Sequence, residues 1–278
     1  MEAEMMARIV PDLTGVPETL LWPLRSRAGM SVLEREFFDD PMAVELYNRI
    51  DYDFARFGPV TQWAAIRAKY SDALINTYLN RFPEAQVVAL GEGIETQFWR
   101  VDNGRVRWLC VELPETITLR RQLLPESNRL TELPLSATDP TLGDHIDPSR
   151  GLFVTAAGLF MYLTEEDVRE LLMRIGEARD GQETEVFFDA MSPRLSRKSL
   201  KGWTLENGYV APRMPFGATR RGVRKLAKSV PGLLVEATPL YVSAYPERSR
   251  LFSVLGKVPF LGDYPPTLVH ARFPAVEW

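Results

Sequence analysis

The stretch Gln86-Val87-Val88-Ala89-Leu90-Gly91-Glu92-Gly93-Ile94-Glu95-Thr96 decides the fold. The apolar run from Val87 to Leu90 is too short for a helix and reads as a strand buried on both faces. Two glycines follow within three residues, letting the backbone turn tightly and pass close to a ligand. In an open α/β sheet, ligands bind at such turns, outside the carboxyl ends of the strands. Thr96 stands where a dinucleotide fingerprint has its third glycine. Taken alone, the turn fits an ordinary strand-to-helix corner as well as a ligand site.

Further strands are expected at 106–113, 130–136, 151–157, 185–190, 233–238 and 267–273, several of them nearly continuous apolar runs. Helical patterns lie between them. The clearest opens at Thr164 with Asp167 three residues on, a capping box carrying Asp in the usual Glu position. It continues with Val168, Leu171, Leu172 and Ile175 at helical spacing. The first eighty or so residues read as helices. Asp39-Asp40-Pro41 places a proline at the first position of a helix over about 43–50. A second helix spans about 61–79, with Trp63, Tyr70, Leu74 and Tyr78 on one stripe and Arg67 on that same stripe. Alternating strands and helices predict a doubly wound, mostly parallel sheet. The stretch 193–215 is polar and lacks clear periodicity, as a lid or a plain surface connection would.

The 278 residues, 45% hydrophobic and 25% charged, suit one globular α/β unit. The net charge of −4 gives no sign of a nucleic-acid partner. Arg220, Arg221, Arg224, Lys225 and Lys228 fit the solvated face of a helix. With one cysteine, Cys110, and two histidines, His145 and His270, neither an internal disulfide nor a His/Cys metal site is expected. No signal peptide is visible at Met1-Glu2-Ala3-Glu4, and no apolar run approaches about 18 residues, so no membrane span is expected. A cytoplasmic protein is anticipated.

Chemistry concentrates at the strand ends. Glu112 closes the second strand 21 residues beyond Gly91, close to the spacing at which an acid meets the hydroxyl pair of a ribose. A carboxylate accepts two hydrogen bonds from vicinal hydroxyls. Asp139 closes the third strand, where it either accepts from an adenine amino group or caps the turn before Pro140. Gly158 follows the fourth strand and again permits close approach. Met161 and Tyr162 behind it read more readily as core. No phosphate-binding Gly-Lys-Ser/Thr loop is present, and Glu92 and Glu95 at the turn are expected to repel a pyrophosphate. A positively charged cofactor without phosphates, such as S-adenosylmethionine, suits that turn.

Gly91-Glu92-Gly93-Ile94-Glu95-Thr96-Gln97-Phe98-Trp99-Arg100-Val101-Asp102, then Arg107-Trp108 and Glu112-Leu113-Pro114-Glu115, resemble the leucine carboxyl methyltransferase family, and within it the bacterial polyketide O-methyltransferase branch of tetracenomycin-pathway type. Thr19-Leu20-Leu21-Trp22-Pro23-Leu24-Arg25-Ser26-Arg27-Ala28, Asp39-Asp40-Pro41-Met42-Ala43 and Gly158-Leu159-Phe160-Met161-Tyr162-Leu163 carry the resemblance outward, from about residue 15 to 190. It implies a class I, Rossmann-like methyltransferase of one domain, 1–278. A helical cover over 1–82 would precede a cofactor-binding core over 83–192, with a lid region and the last strands over 193–278. It implies S-adenosylmethionine held by Arg67 at its carboxylate and Arg27 nearby. Gly91, Glu92 and Gly93 would lie beneath it, Glu112 and Leu113 at the ribose, and Thr138 and Asp139 at the adenine. Ala157 would sit at the methionine end, where many members carry an acid. The implied activity is O-methylation of a carboxyl or phenolic hydroxyl on a small aromatic or polyketide-like metabolite, with Tyr162 and the region 203–216 on the acceptor side. Two other readings share the layout: a cofactor-holding protein without methyl transfer, and a nicotinamide-dependent oxidoreductase. The missing third glycine and the turn carboxylates count against the second.

Overall fold

The structure, a computed structural model, describes residues 8–240 and 266–276. The chain start read for a signal, and residues 241–265 of the expected lid and strand region, lie outside the described residues. Seven strands form one sheet: β1 Gln86–Leu90, β2 Arg107–Glu112, β3 Leu130–Pro134, β4 Leu152–Ala156, β5 Thr184–Ala190, β6 Leu234–Pro239 and β7 Thr267–Phe273. Each lies within two residues of its expected bounds. Their order is β3-β2-β1-β4-β5-β7-β6. The first five run parallel, and β7 pairs antiparallel with both β5 and β6. Winding reverses between β1 and β4, so the crevice that receives a ligand opens above the carboxyl ends of those two strands.

Strand composition follows position. β4 and β5 are buried along their whole length, whereas the edge strands β3 and β6 are half exposed. Burial on both faces explains the continuous apolar runs in the centre. Between β4 and β5 runs α6, Glu165–Ala178, which turns Val168, Leu171, Leu172 and Ile175 into the core. Its capping box is formed: Thr164 Oγ1 accepts from the Asp167 amide at 3.1 Å, and Asp167 Oδ2 accepts from the Thr164 amide at 3.0 Å. The basic helix Arg220–Lys228 buries Val223, Leu226 and Ala227 and leaves Arg221, Arg224, Lys225 and Lys228 exposed, a solvated face as expected. Cys110 is a free, buried thiol inside β2, raised well above its ordinary pKa by burial. Among the described residues no helix is long and apolar enough to cross a membrane.

The cover consists of α1 Leu21–Leu33, α2 Pro41–Arg49 and α3 Trp63–Arg81. Asp40 caps α2, accepting from the Ala43 amide at 2.9 Å. Tyr78 anchors α3 to the sheet: its hydroxyl donates to Glu183 O at 3.0 Å and accepts from the Leu152 amide at 2.9 Å. The stretch 193–215 holds more structure than its sequence predicts. A helix runs over Pro193–Leu200, and a hairpin pairs Trp203–Thr204 with Val210–Ala211. The helix lacks visible periodicity because serines occupy part of its inward face. Ser196 Oγ donates to Pro215 O at 3.1 Å, and Ser199 Oγ accepts from the Met214 amide at 2.9 Å. Asn207, in the hairpin loop, donates to Ala55 O of the cover at 2.6 Å, so this insertion bridges the two sides of the crevice.

The cover is held to the glycine turn by a buried charge cluster. Arg27 meets Glu95 at 2.7 Å and Asp40 at 3.4 Å. Arg100, from α4 (Gln97–Val101), meets Asp40 at 2.8 Å, Glu95 at 2.7 Å and Asp72 at 2.7 Å. Thr96, in the place of a third glycine, donates to Asp40 Oδ2 at 2.7 Å. Removing one partner of such a group strands the opposite charge without water. Arg100→Ala should therefore cost about 3–5 kcal/mol of folding stability, read by urea denaturation. Burial alone would raise the Glu95 carboxyl, but Arg27 and Arg100 together pull it down to about 2. Its folded value lies below the ordinary 4.5, so its contribution is complete above that value and lost as pH falls through about 2. Stability should decline across that window, and Glu95→Gln should flatten the decline in pH-dependent denaturation.

Candidate functional site

A cavity of about 600 Å³ opens at the carboxyl ends of β1 to β5, beneath the cover and the insertion. Its floor is the turn after β1. Gly91 has φ +60° and Gly93 φ +61°, values that disfavour any side chain. A Cβ on Gly91 would come within 2.8 Å of Leu159 Cδ1, and one on Gly93 within 2.9 Å of Leu20 Cβ. Glu112 reaches across from the end of β2. Its Oε2 accepts from the Gly93 amide at 2.9 Å and its Oε1 from the Leu113 amide at 2.8 Å. Burial raises the Glu112 carboxyl, partly offset by these two amides. One lone pair on each oxygen remains available to a ligand. Through these two bonds the Glu112 carboxylate ties the glycine turn to the end of β2.

The two other turn carboxylates behave differently from expectation. Glu92 borders the cavity, but its side chain is 3% exposed and lies 3.2 Å from the Arg120 guanidinium, itself fully buried. Arg120, from α5 (Pro114–Leu123), also donates to Gly93 O at 2.5 Å and to Glu132 at 3.0 Å. Glu95 is closed off by Arg27 and Arg100. Both carboxylates thus face arginines, Glu95 held ionised by its pair and Glu92 raised by burial that Arg120 only partly offsets, so the expected repulsion of a pyrophosphate has little exposed charge behind it. Arg27 likewise supports the turn, donating to Ile94 O at 3.1 Å besides its ion pairs.

Beyond the turn the remaining predicted residues divide. Leu113, Thr138, Ala157 and Tyr162 line the cavity. Asp139 does not: its Oδ1 accepts from the Thr141 amide at 2.8 Å and the Thr141 hydroxyl at 2.6 Å, capping the short 3-10 turn Pro140–His145. The turn-capping alternative is the one this geometry shows. Arg67 is buried in α3, stacked over Trp63 at 5.0 Å, and its guanidinium meets Asp189 at 3.3 Å. Asp189 sits at the end of β5 and accepts from the Gly158 amide at 2.6 Å. Asp189 was not among the expected site residues, although the sequence marks it as a carboxylate inside the apolar run Phe187-Phe188-Asp189-Ala190. Arg120 left no comparable sign, since its partners come from two distant segments, the turn after β1 and β3.

The opposite end of the cavity is aromatic. Trp22, Trp63, Trp203 and Tyr162 line it together with Met161, Met191, Met214 and Leu195. Trp22 lies 6.1 Å from Trp203 and 6.4 Å, edge-on, from Trp63. Phe216, anticipated with this group, packs instead against Phe160 in the main core. Burial raises the Tyr162 hydroxyl above its ordinary pKa, opposed by the Thr19 hydroxyl and Arg67. Neither histidine borders the cavity; His270 pairs with Glu185 at 2.7 Å on the sheet.

Comparison with known proteins gives a consistent picture. Residues 24–176 match the family described as leucine carboxyl methyltransferase. The tetracenomycin polyketide synthesis O-methyltransferase TcmP of Streptomyces glaucescens is 35% identical over 225 residues, 80% of this chain and 81% of that protein. The S-adenosyl-L-methionine-dependent methyltransferase dpfgK of Gibberella zeae is 32% identical over 201 residues, 64% of this chain and 67% of its own. Among solved structures, the plantazolicin methyltransferase BamL, crystallised with a triazolic desmethyl analogue and S-adenosylhomocysteine, shares the fold with a TM-score of 0.51 at 11% identity, covering 92% of this chain and 96% of its own. A DUF574 family protein from Streptomyces avermitilis does so with a TM-score of 0.53 at 15% identity, covering 76% and 84%.

Gly158 stands directly against Arg67. It has φ +80°, and a Cβ there would stand 2.6 Å from Arg67 Nη1. Gly158→Ala should displace Arg67, lower stability by about 1–3 kcal/mol through backbone strain, and weaken cofactor binding in calorimetric titration. Unchanged affinity would show that Arg67 needs no fixed position.

Proposed function

Because this chain belongs to the leucine carboxyl methyltransferase family, we propose that it transfers a methyl group from S-adenosylmethionine to an oxygen of a small aromatic, polyketide-like acceptor, a carboxylate or an acidic phenol. The enzyme is an S-adenosylmethionine-dependent methyltransferase of the class I, Rossmann-like fold. The division of one cavity into a polar end over the glycine turn and an aromatic end under the insertion carries this proposal. Its volume falls in the range of pre-formed ligand sites, about 300–1,000 Å³.

The polar end fits the cofactor. Gly91 and Gly93 keep its floor free of side chains. Glu112 offers acceptor lone pairs to a ribose, with Leu113 against the sugar and Ala137 and Thr138 beside the base. The buried hydroxyls of Thr116 and Thr155 border the cavity without a hydrogen-bond partner among the described residues, so polar groups of a ligand can satisfy them. Arg67 suits a carboxylate, the planar fork being its natural partner. Ala157 leaves space, and Arg27 holds the turn.

When bound, S-adenosylmethionine supplies a methyl group on a sulfonium, open to in-line attack. The chain's residues then have to align the acceptor and keep water out. Alignment of this kind contributes about 7–11 kcal/mol, and the rigid walls of Trp22, Trp63 and Trp203 suit a planar substrate. The bound sulfonium would also be favoured near such aromatic faces. Tyr162, raised by burial, keeps its proton at neutral pH, so its hydroxyl is available to donate a hydrogen bond and is a poor base. An acceptor that arrives already ionised, as a carboxylate does with a pKa of about 4, needs no base from the described cavity wall.

The test is methyl transfer from labelled S-adenosylmethionine to a panel of aromatic acids and phenols. Methyl esters or ethers should form, with carboxylate rates nearly flat between about pH 6 and 9. Trp203→Ala should raise the acceptor KM about tenfold and leave cofactor affinity unchanged. Tight cofactor binding with no product from any oxygen acceptor would favour a cofactor-holding role without transfer.

A further inference from the structure

Arg67 and Asp189 form a buried ion pair that the wall of the cavity exposes on one side only, their side chains being 7% and 5% accessible. A buried pair closed by its own hydrogen bonds would be structural. This one is incompletely closed. Asp189 Oδ1 accepts from the Gly158 amide at 2.6 Å, whereas among the described residues Oδ2 has only the long Arg67 contact at 3.3 Å. A carboxylate oxygen has room for two hydrogen bonds, and burial makes an unmet acceptor costly. We propose that Asp189 receives the ammonium group of the cofactor's amino-acid end while Arg67 receives its carboxylate, so that a zwitterion lies against an oppositely oriented ion pair.

The arrangement brings no net charge into the cavity, because the pair and the zwitterion are each neutral. Other lining carboxylates do not offer this. Glu95 is hydrogen-bonded to Arg100 and paired with Arg27. Glu92, whose oxygens also lack a hydrogen-bond partner among the described residues, points into the turn against the fully buried Arg120, its side chain 3% exposed. Glu112 lies at the far side. The order β2-β1-β4-β5 puts three strand spacings, about 14 Å, between the Glu112 and Asp189 strands. That separation suits a ligand bound by its ribose at one end and its amino-acid group at the other. The parallel register pairs Ala156 with Phe188; carried one residue further, it sets Asp189 beside Ala157. The strand end that carries alanine therefore has a carboxylate supplied to it from the neighbouring strand.

The inference rests on the cofactor assignment above, and one titration series separates the two. S-adenosylhomocysteine and its analogue lacking the amino group are titrated calorimetrically into the whole protein. The parent should prefer S-adenosylhomocysteine by about tenfold or more, as a charge-assisted hydrogen bond allows. Asp189→Asn should reduce that ratio to near one, and Ala157→Asp combined with Asp189→Asn should restore part of it. Glu112→Gln should weaken both ligands equally and keep the ratio. A merely structural Asp189 would weaken both ligands and leave the ratio intact, which overturns the inference. A parent that binds both ligands equally overturns it too, even if Asp189→Asn fails to fold. A parent that binds neither ligand overturns the cofactor assignment itself.

Discussion

The charge cluster under the glycine turn is the constraint on which the rest of this structure depends. Arg27 of α1 and Arg100 of α4 hold Asp40 at the start of α2, Asp72 of α3 and Glu95 of the turn itself. Such groups contribute little net stability compared with a well-packed apolar core, because desolvation offsets attraction. What they supply is geometry: the guanidinium forks accept few arrangements, so the cover meets the sheet in one register. The roof of the cavity is placed relative to its floor by that register. Arg120 does the same from the other side of the turn, joining Glu92, Gly93 O and Glu132.

With the floor fixed, the cavity's two ends can specialise. The polar end uses backbone and a few anchored carboxylates, which suits a cofactor of constant shape. The aromatic end is made of residues from the cover, the β4 turn and the insertion, all distant in sequence. Loops and insertions of this kind vary more readily than the strands that support them, which suits the acceptor role proposed for this end. The insertion is tied at both ends, by the Ser196 and Ser199 hydroxyls to Pro215 and Met214 and by Asn207 to Ala55.

Much of the fold was legible in the sequence because central strands and capped helices announce themselves locally. The apolar runs of β1, β4 and β5, the glycine turn and the Thr164–Asp167 box are each set by neighbours within a few residues. Glu112 was legible by its spacing from Gly91, and Arg67 as a cation on an apolar stripe. The helix over Pro193–Leu200 was not, since its inward face is marked by serines whose partners lie some fifteen to nineteen residues away. Asp139 illustrates the reverse: its local role as a turn cap competed with a ligand role, and the local partner is the one the structure shows.

The sequence by itself determined the sheet, its winding and the side on which a ligand binds, because strand burial and turn conformation follow from short-range pattern. Only the tertiary structure decided which charges face the cavity. Glu92 and Glu95 look like free anions in the chain and face arginines up to 68 residues away, whereas Asp189 looks like part of a buried strand and reaches Arg67 from 122 residues away. Desolvation is the physical reason: a charge inside a protein is defined by the partner that compensates it, and that partner is chosen by folding rather than by sequence proximity.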